Sequence, residues 1–60
     1  MKSKYRIYLF NNHNELAKSF PFESKWAATL KAKDALKHFD VDCCYIVDMS
    51  TGEIVEEMHQ

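Results

Sequence analysis

Sixty residues with a formal net charge of -1 leave room for one domain, and a chain of this length buries only about 60% of the surface its unfolded form exposes. The only cysteines, Cys43 and Cys44, are adjacent, which excludes the spaced framework of a disulfide-stapled secreted domain. No run approaches the roughly 18 apolar residues of a membrane span, and the opening residues carry no apolar signal-like region; the expectation is one domain over residues 1–60 in the cytoplasm.

The small net charge hides a division. Residues 1–39 hold all eight Lys and Arg against three acids, a net of +5, while residues 40–60 hold six acids and no Lys or Arg, a net of -6. Such asymmetry steers association with a partner or between copies, or else it is ordinary solvated surface.

Tyr5, Ile7 and Leu9 alternate with Arg6, Tyr8 and Phe10, an aromatic and β-branched run that fits a pleated strand with apolar residues on both faces. Asn11-Asn12-His13-Asn14 is a polar turn, with Asn14 suited to a left-handed backbone. A second strand runs over residues 15–22. Pro21 cannot donate to a ladder, which puts this strand at the sheet edge, and Lys18 blunts that edge.

Ser24 is the natural N-cap of a helix over residues 24–39, although Ala27 stands where a capping box would have Glu or Gln. At about 100° per residue, Ala28, Ala32, Ala35, Leu36 and Phe39 share one arc while Lys31, Lys33, Asp34, Lys37 and His38 fall outside it. The alanine stripe suits close approach to a flat sheet, and Lys37 and His38 favour the C-terminal end of the dipole. Asp40-Val41-Asp42 breaks the helical pattern. A third strand then covers residues 43–48, Met49-Ser50-Thr51-Gly52 forms a hairpin loop with glycine at positive φ, and a fourth strand covers residues 53–58.

The two hairpins correspond at an offset of 38 residues, with Asn14 opposite Gly52 and Glu15 opposite Glu53. Either a duplication or the same four-residue loop used twice accounts for this. The fold expected is α+β: strand-strand-helix-strand-strand, a four-stranded antiparallel sheet in the order 2-1-3-4 with the helix on one face, so that the two most apolar strands are central. If Asp48 faces Glu53 and the first hairpin uses the same loop, the covered face holds Tyr5, Ile7, Leu9, Phe20, Tyr45, Val47, Ile54 and Met58. Leu16 falls on that face and Ala17 on the other. A one-residue slip in either hairpin inverts its faces.

One helix covers one face, so Tyr8, Phe10, Cys44, Ile46 and Val55 are left on the other, a patch of the size that signifies contact with something else. The bland alternative is an ordinary outer face with a few apolar side chains. Trp26 and Leu30 stack at i and i+4 but lie about 100° or more from the alanine stripe; they either wrap the rim of the core or anchor a partner.

Catalysis has little to build with: His13, His38 and His59 are scattered, and Gly52 is the one glycine, so no glycine-rich phosphate loop exists. No cofactor is expected. A metal set drawn from His38, Cys43 or Cys44, and His59 lacks recognisable ligand spacing. A nucleic-acid reading joins Lys25, Lys31, Lys33 and Lys37 on the helix to Arg6, Tyr8 and Phe10 on the open face, against an acidic second half. The preferred expectation is a small non-enzymatic protein-interaction module, a homodimer that works as an inhibitor, antitoxin or adaptor of the kind phages and mobile elements encode. Its partner-binding residues would be Tyr8, Phe10, Ile46, Val55, Trp26 and Leu30.

Overall fold

The computed structural model describes residues 4–38 and 40–60. Strands β1 (Tyr5–Asn11) and β2 (Leu16–Phe22) precede helix α1 (Lys25–Ala35), which is followed by β3 (Val41–Asp48) and β4 (Glu53–His59). The four strands form one antiparallel sheet in the order β2-β1-β3-β4, the arrangement expected from placing the most apolar strands at the centre and the Pro21 strand at an edge.

Local chemistry explains each element. The Ser24 hydroxyl accepts from the Ala27 N–H at 3.1 Å, satisfying one of the donors a helix start leaves free. The α-helix is shorter than the pattern suggests, because after Ala35 the chain tightens: the Lys37 and His38 N–H groups donate to Asp34 and Ala35 three residues back. Phe39, assigned from sequence to the buried stripe, lies outside the described residues. The Gln60 amide nitrogen donates to the carbonyls of Leu36 and His38 at 2.8 and 2.9 Å, serving acceptors that the end of a helix cannot satisfy itself.

Both hairpins turn on a residue with positive φ, Asn14 at 61° and Gly52 at 78°, yet their loops differ. The first closes over three residues, with Asn11 donating to the Glu15 carbonyl and its own carbonyl accepting from Asn14. The Asn11 side-chain oxygen also receives the His13 and Glu15 N–H groups. The second loop closes over four residues, organised by Asp48, whose carboxylate accepts from the Ser50 N–H and hydroxyl at 2.9 and 2.6 Å. The Ser50 hydroxyl, more than any other group, holds the Asp48 carboxyl below its ordinary range. The expectation of one four-residue loop used twice therefore fails at the first turn.

The core lies between α1 and the sheet: Ile7, Leu9, Ala28, Ala32, Ala35, Val41, Cys44 and Ile46 are buried together, with Tyr5, Phe20, Phe22, Leu36 and Met58 packed around them. The alanine stripe is where the periodicity placed it. Helix α1 rests on β1, β3 and β2, a position that leaves β4 at the side of the molecule away from it.

The sheet faces are partly inverted relative to the sequence expectation: the pairing of β3 with β1 sets which side of β3 meets the helix, and three bulges shift residues within the other strands and at the start of β3. In β2, Leu9 pairs with Lys18 and Phe10 with Leu16, so Ala17 is extra. In β3, Phe10 pairs with Cys43 and Asn11 with Val41, so Asp42 is extra. In β4, Ile46 pairs with Glu56 and Val47 with Ile54, so Val55 is extra. Each extra residue breaks the strict alternation of faces along its strand. Ile46 and Cys44, expected on the open face, instead sit opposite Ile7 and Leu9 beneath the helix with no exposure. Tyr45, Val47 and Ile54, expected in the core, lie on the other side, and Leu16 joins them.

This placement has a direct consequence for stability. Ile46→Ala removes fully buried volume and is expected to cost about 2–5 kcal/mol, whereas Val47→Thr, on the uncovered face, is expected to stay within about 1 kcal/mol of the parent. Urea unfolding followed by circular dichroism ranks the two, and the reverse ranking would contradict the faces described here.

Candidate functional site

The face of the sheet opposite α1 is a small lattice, because residues paired directly across antiparallel strands share a face. Its first row is Pro21, Arg6, Val47 and Ile54, its second Ser19, Tyr8, Tyr45 and Glu57, and its third Leu16, Phe10, Cys43 and His59. Eight of these twelve positions are apolar, aromatic or thiol, and none of the described elements lies over them. Phe10 and Tyr45 meet edge to face with ring centroids 5.5 Å apart. Cys43 keeps only 5% of its surface exposed even though it is outside the cluster under the helix. Ile54 and Leu16, at the two edges, are 57% and 54% exposed.

The polar members of the lattice are already partnered. Arg6 donates to the Ser19 hydroxyl at 2.9 Å, and His59 Nε2 lies 2.6 Å from a Glu57 carboxylate oxygen. The neighbouring Cys43 side chain, more than any other group, raises the Tyr45 phenol above its ordinary range. The phenol is neutral at pH 7 with or without that shift and suits an apolar contact.

Of the partner-binding residues named from sequence, the structure brings Tyr8 and Phe10 together on this face. Ile46 is removed from it, being fully buried under α1. Val55 is the unpaired residue of the β4 bulge and is 39% exposed. Trp26 and Leu30 are on the far side of the molecule, on α1, 73% and 49% exposed. Sequence reasoning missed Tyr45, Val47, Ile54 and Leu16. The one signal that bore on Tyr45 was its hydroxyl, since Cys and Ile fill closed cores more often than Tyr does.

Other chemistry finds little support in the geometry. Among the described residues, no group of three or more His, Cys, Asp or Glu side chains is close enough to hold a metal ion. Cys44 lies beneath the helix with its sulfur 3.9 Å from the Ala32 carbonyl, separated by the sheet from Cys43. A cleft beside the C-terminal end of α1, lined by Leu9, Phe20, Lys31, Ala35, His38 and Val41 among others, has a volume of about 210 Å³. That is below the roughly 300–1,000 Å³ usual for small-molecule sites. No described helix is long and apolar enough to cross a membrane. No family model matches the chain, and neither a characterised protein nor a solved structure matches it.

The two thiols differ in a way that can be measured. Burial, above all, pushes the Cys44 thiol up to about 11 from 9.0. A thiol whose pKa is higher in the folded chain holds its proton there while the unfolded chain loses it, so stability falls as pH rises from about 9 toward 11. Urea midpoints taken at either end of that window should drop more for the parent than for Cys44→Ala. In a Cys43→Ser background, Cys44 should also resist iodoacetamide near pH 8 until urea is added, as read by mass spectrometry.

Proposed function

We propose that this protein is a small non-enzymatic interaction module that pairs with a second copy of itself through the uncovered sheet face. In that form it would act as an inhibitor, antitoxin or adaptor by occupying a surface on a larger protein. The observation that carries this reading is the lattice itself, eight apolar, aromatic or thiol positions with Phe10 and Tyr45 meeting edge to face on its two central strands.

The physical argument is one of area and of missing core. Strand spacing and rise give a face of about 20 by 20 Å, or about 400 Å², which falls in the range of exposed apolar patches that mark contact sites. A core of eight buried residues leaves a domain of this size marginally stable, and a second copy would add burial on the face the helix does not cover. The face also carries few charges, and Arg6, Glu57 and His59 already have hydrogen-bond partners within it. Desolvation of the Arg6 guanidinium, which meets only a neutral hydroxyl, would oppose association and keep the pairing weak. Two such faces bury about 800 Å² in total, at the weak end of specific interfaces, so the dimer should dissociate on dilution.

A nucleic-acid reading is less well supported. The lysines Lys25, Lys31, Lys33 and Lys37 belong to the helix side and the aromatics Tyr8, Phe10 and Tyr45 to the opposite face of the sheet, so one strand could not stack on the rings while its phosphates met the helix.

Light scattering on concentrated protein should give twice the 7.1 kDa chain mass, relaxing to the single-chain mass on dilution. Val47→Glu and Tyr8→Glu should hold the protein at the single-chain mass with an unchanged circular dichroism spectrum. A parent that scatters as a single chain at every concentration refutes the pairing.

A further inference from the structure

The outward side of α1 carries a second surface that the sheet-face dimer does not use. Trp26 is 73% exposed and Leu30 49% exposed, and Lys33 and Lys37 continue the same ridge, Lys37 from the turn that follows the helix. At about 100° per residue Trp26, Leu30 and Lys33 point away from the buried stripe of Ala28, Ala32 and Ala35, and Lys37 is exposed in the turn beyond them. Their spacing of four, three and four residues is that of alternating d and a positions along a heptad seam. The seam is apolar in its first half and cationic in its second.

Two observations say what kind of surface fits it. The helix carries Lys25, Lys31, Lys33 and Lys37 against Asp34 alone, and among the described residues none of these lysines makes an ion pair. The chain's own surplus of carboxylates lies on β3 and β4, with Asp40 in the turn before β3, and α1 packs mainly on β1, β3 and β2. A second copy's only described helix is a poor occupant of the ridge: packed parallel it sets Lys33 and Lys37 against their own counterparts, and packed antiparallel it sets them against Leu30 and Trp26, so in neither case does a carboxylate meet them. We infer that the Trp26–Leu30–Lys33–Lys37 ridge docks an acidic amphipathic helix supplied by another protein, with apolar side chains against Trp26 and Leu30 and glutamates or aspartates against the lysines.

This inference rests on the reading of the protein as an interaction module but not on its sheet-face pairing, since the ridge and the lattice are on opposite sides of the sheet. Trp26 is the single tryptophan, so its emission reports the ridge alone. The probe is a synthetic three-heptad peptide without tryptophan, Leu at a and d with Glu at the flanking positions, and the same peptide with Lys in place of Glu. The Glu peptide should shift the Trp26 emission to the blue in a saturable manner that weakens at high salt, and the Lys peptide should not. Leu30→Ala, and Lys33→Glu with Lys37→Glu, should each weaken the Glu peptide by about tenfold or more with unchanged circular dichroism. Val47→Glu, which tests the dimer, should leave peptide binding intact.

Absence of a shift with the Glu peptide, or an equal shift with both peptides, would overturn the inference. A blue shift on concentrating the protein alone would assign the ridge to a second copy. A saturable shift with phosphatidylserine vesicles and none with the Glu peptide would assign it to an anionic membrane surface. Either result would also overturn it.

Discussion

The seating of an alanine stripe on a flat sheet is the contact on which the rest of this molecule depends. Ala28, Ala32 and Ala35 contribute almost no volume, so the helix backbone comes close to β1 and β3 and the bulk of the core is supplied from below by Ile7, Leu9, Cys44 and Ile46. That closeness is what allows so few residues to exclude water: the fully buried set is small, and the gaps at its margin are closed by Phe20, Phe22, Leu36 and Met58. It also fixes what the helix cannot do. An eleven-residue helix laid over β2, β1 and β3 has no reach around the sheet edge, so it leaves the back of the sheet uncovered.

The same contact explains how much of the fold could be read from the sequence. Strand-strand-helix-strand-strand order, the 2-1-3-4 arrangement, the Ser24 cap, the alanine stripe and the positive φ of Asn14 and Gly52 all follow from local chemistry, and local chemistry is written residue by residue. Which side of β3 meets the helix is not. Tyr45 and Val47 are as apolar as Cys44 and Ile46, so both faces of the strand satisfy the pattern, and the choice is made by pairing with Ile7 and Leu9 across β1. The bulges at Ala17, Asp42 and Val55 compound the problem, since none of the three is a glycine or carries any other local mark of an extra residue, and each one breaks the alternation on which face assignment rests. The first hairpin shows the effect in small: a loop of three residues in place of four, with a bulge behind it, moves Leu16 to the back of the sheet while Phe20 stays beneath the helix.

Legibility of the candidate site follows the same division. Tyr8 and Phe10 were placed correctly because their strand has no bulge of its own before Asn11 and its helix-facing residues are the larger aliphatics. Ile46 was misplaced because β3 offers no such contrast. Trp26 and Leu30 were read as either rim or anchor, and the helix settles their orientation: a stripe centred on Ala32 turns positions six before and two before it outward.

Charge and apolar surface are arranged on different axes of the molecule, and this bears on how the two surfaces could work together. The lattice on the back of the sheet has apolar, aromatic or thiol groups at eight of its twelve positions, which suits a contact governed by area and shape; the helix ridge mixes two large apolar side chains with lysines, which suits a contact governed by complementarity and sensitive to salt. In a pair formed through the sheet faces, the helices are the two outermost layers, so both ridges stay accessible. Because the ridge and the lattice share no residue and are separated by the sheet and the alanine layer, perturbations of one should add to perturbations of the other. A target carrying two acidic helices would then meet both ridges of one pair, and its affinity would rise with pairing through effective concentration alone, provided that its two helices span the width of the four-layered particle. Pairing that is weak by itself would in that case be strengthened by the target, since each event favours the other by the same free energy.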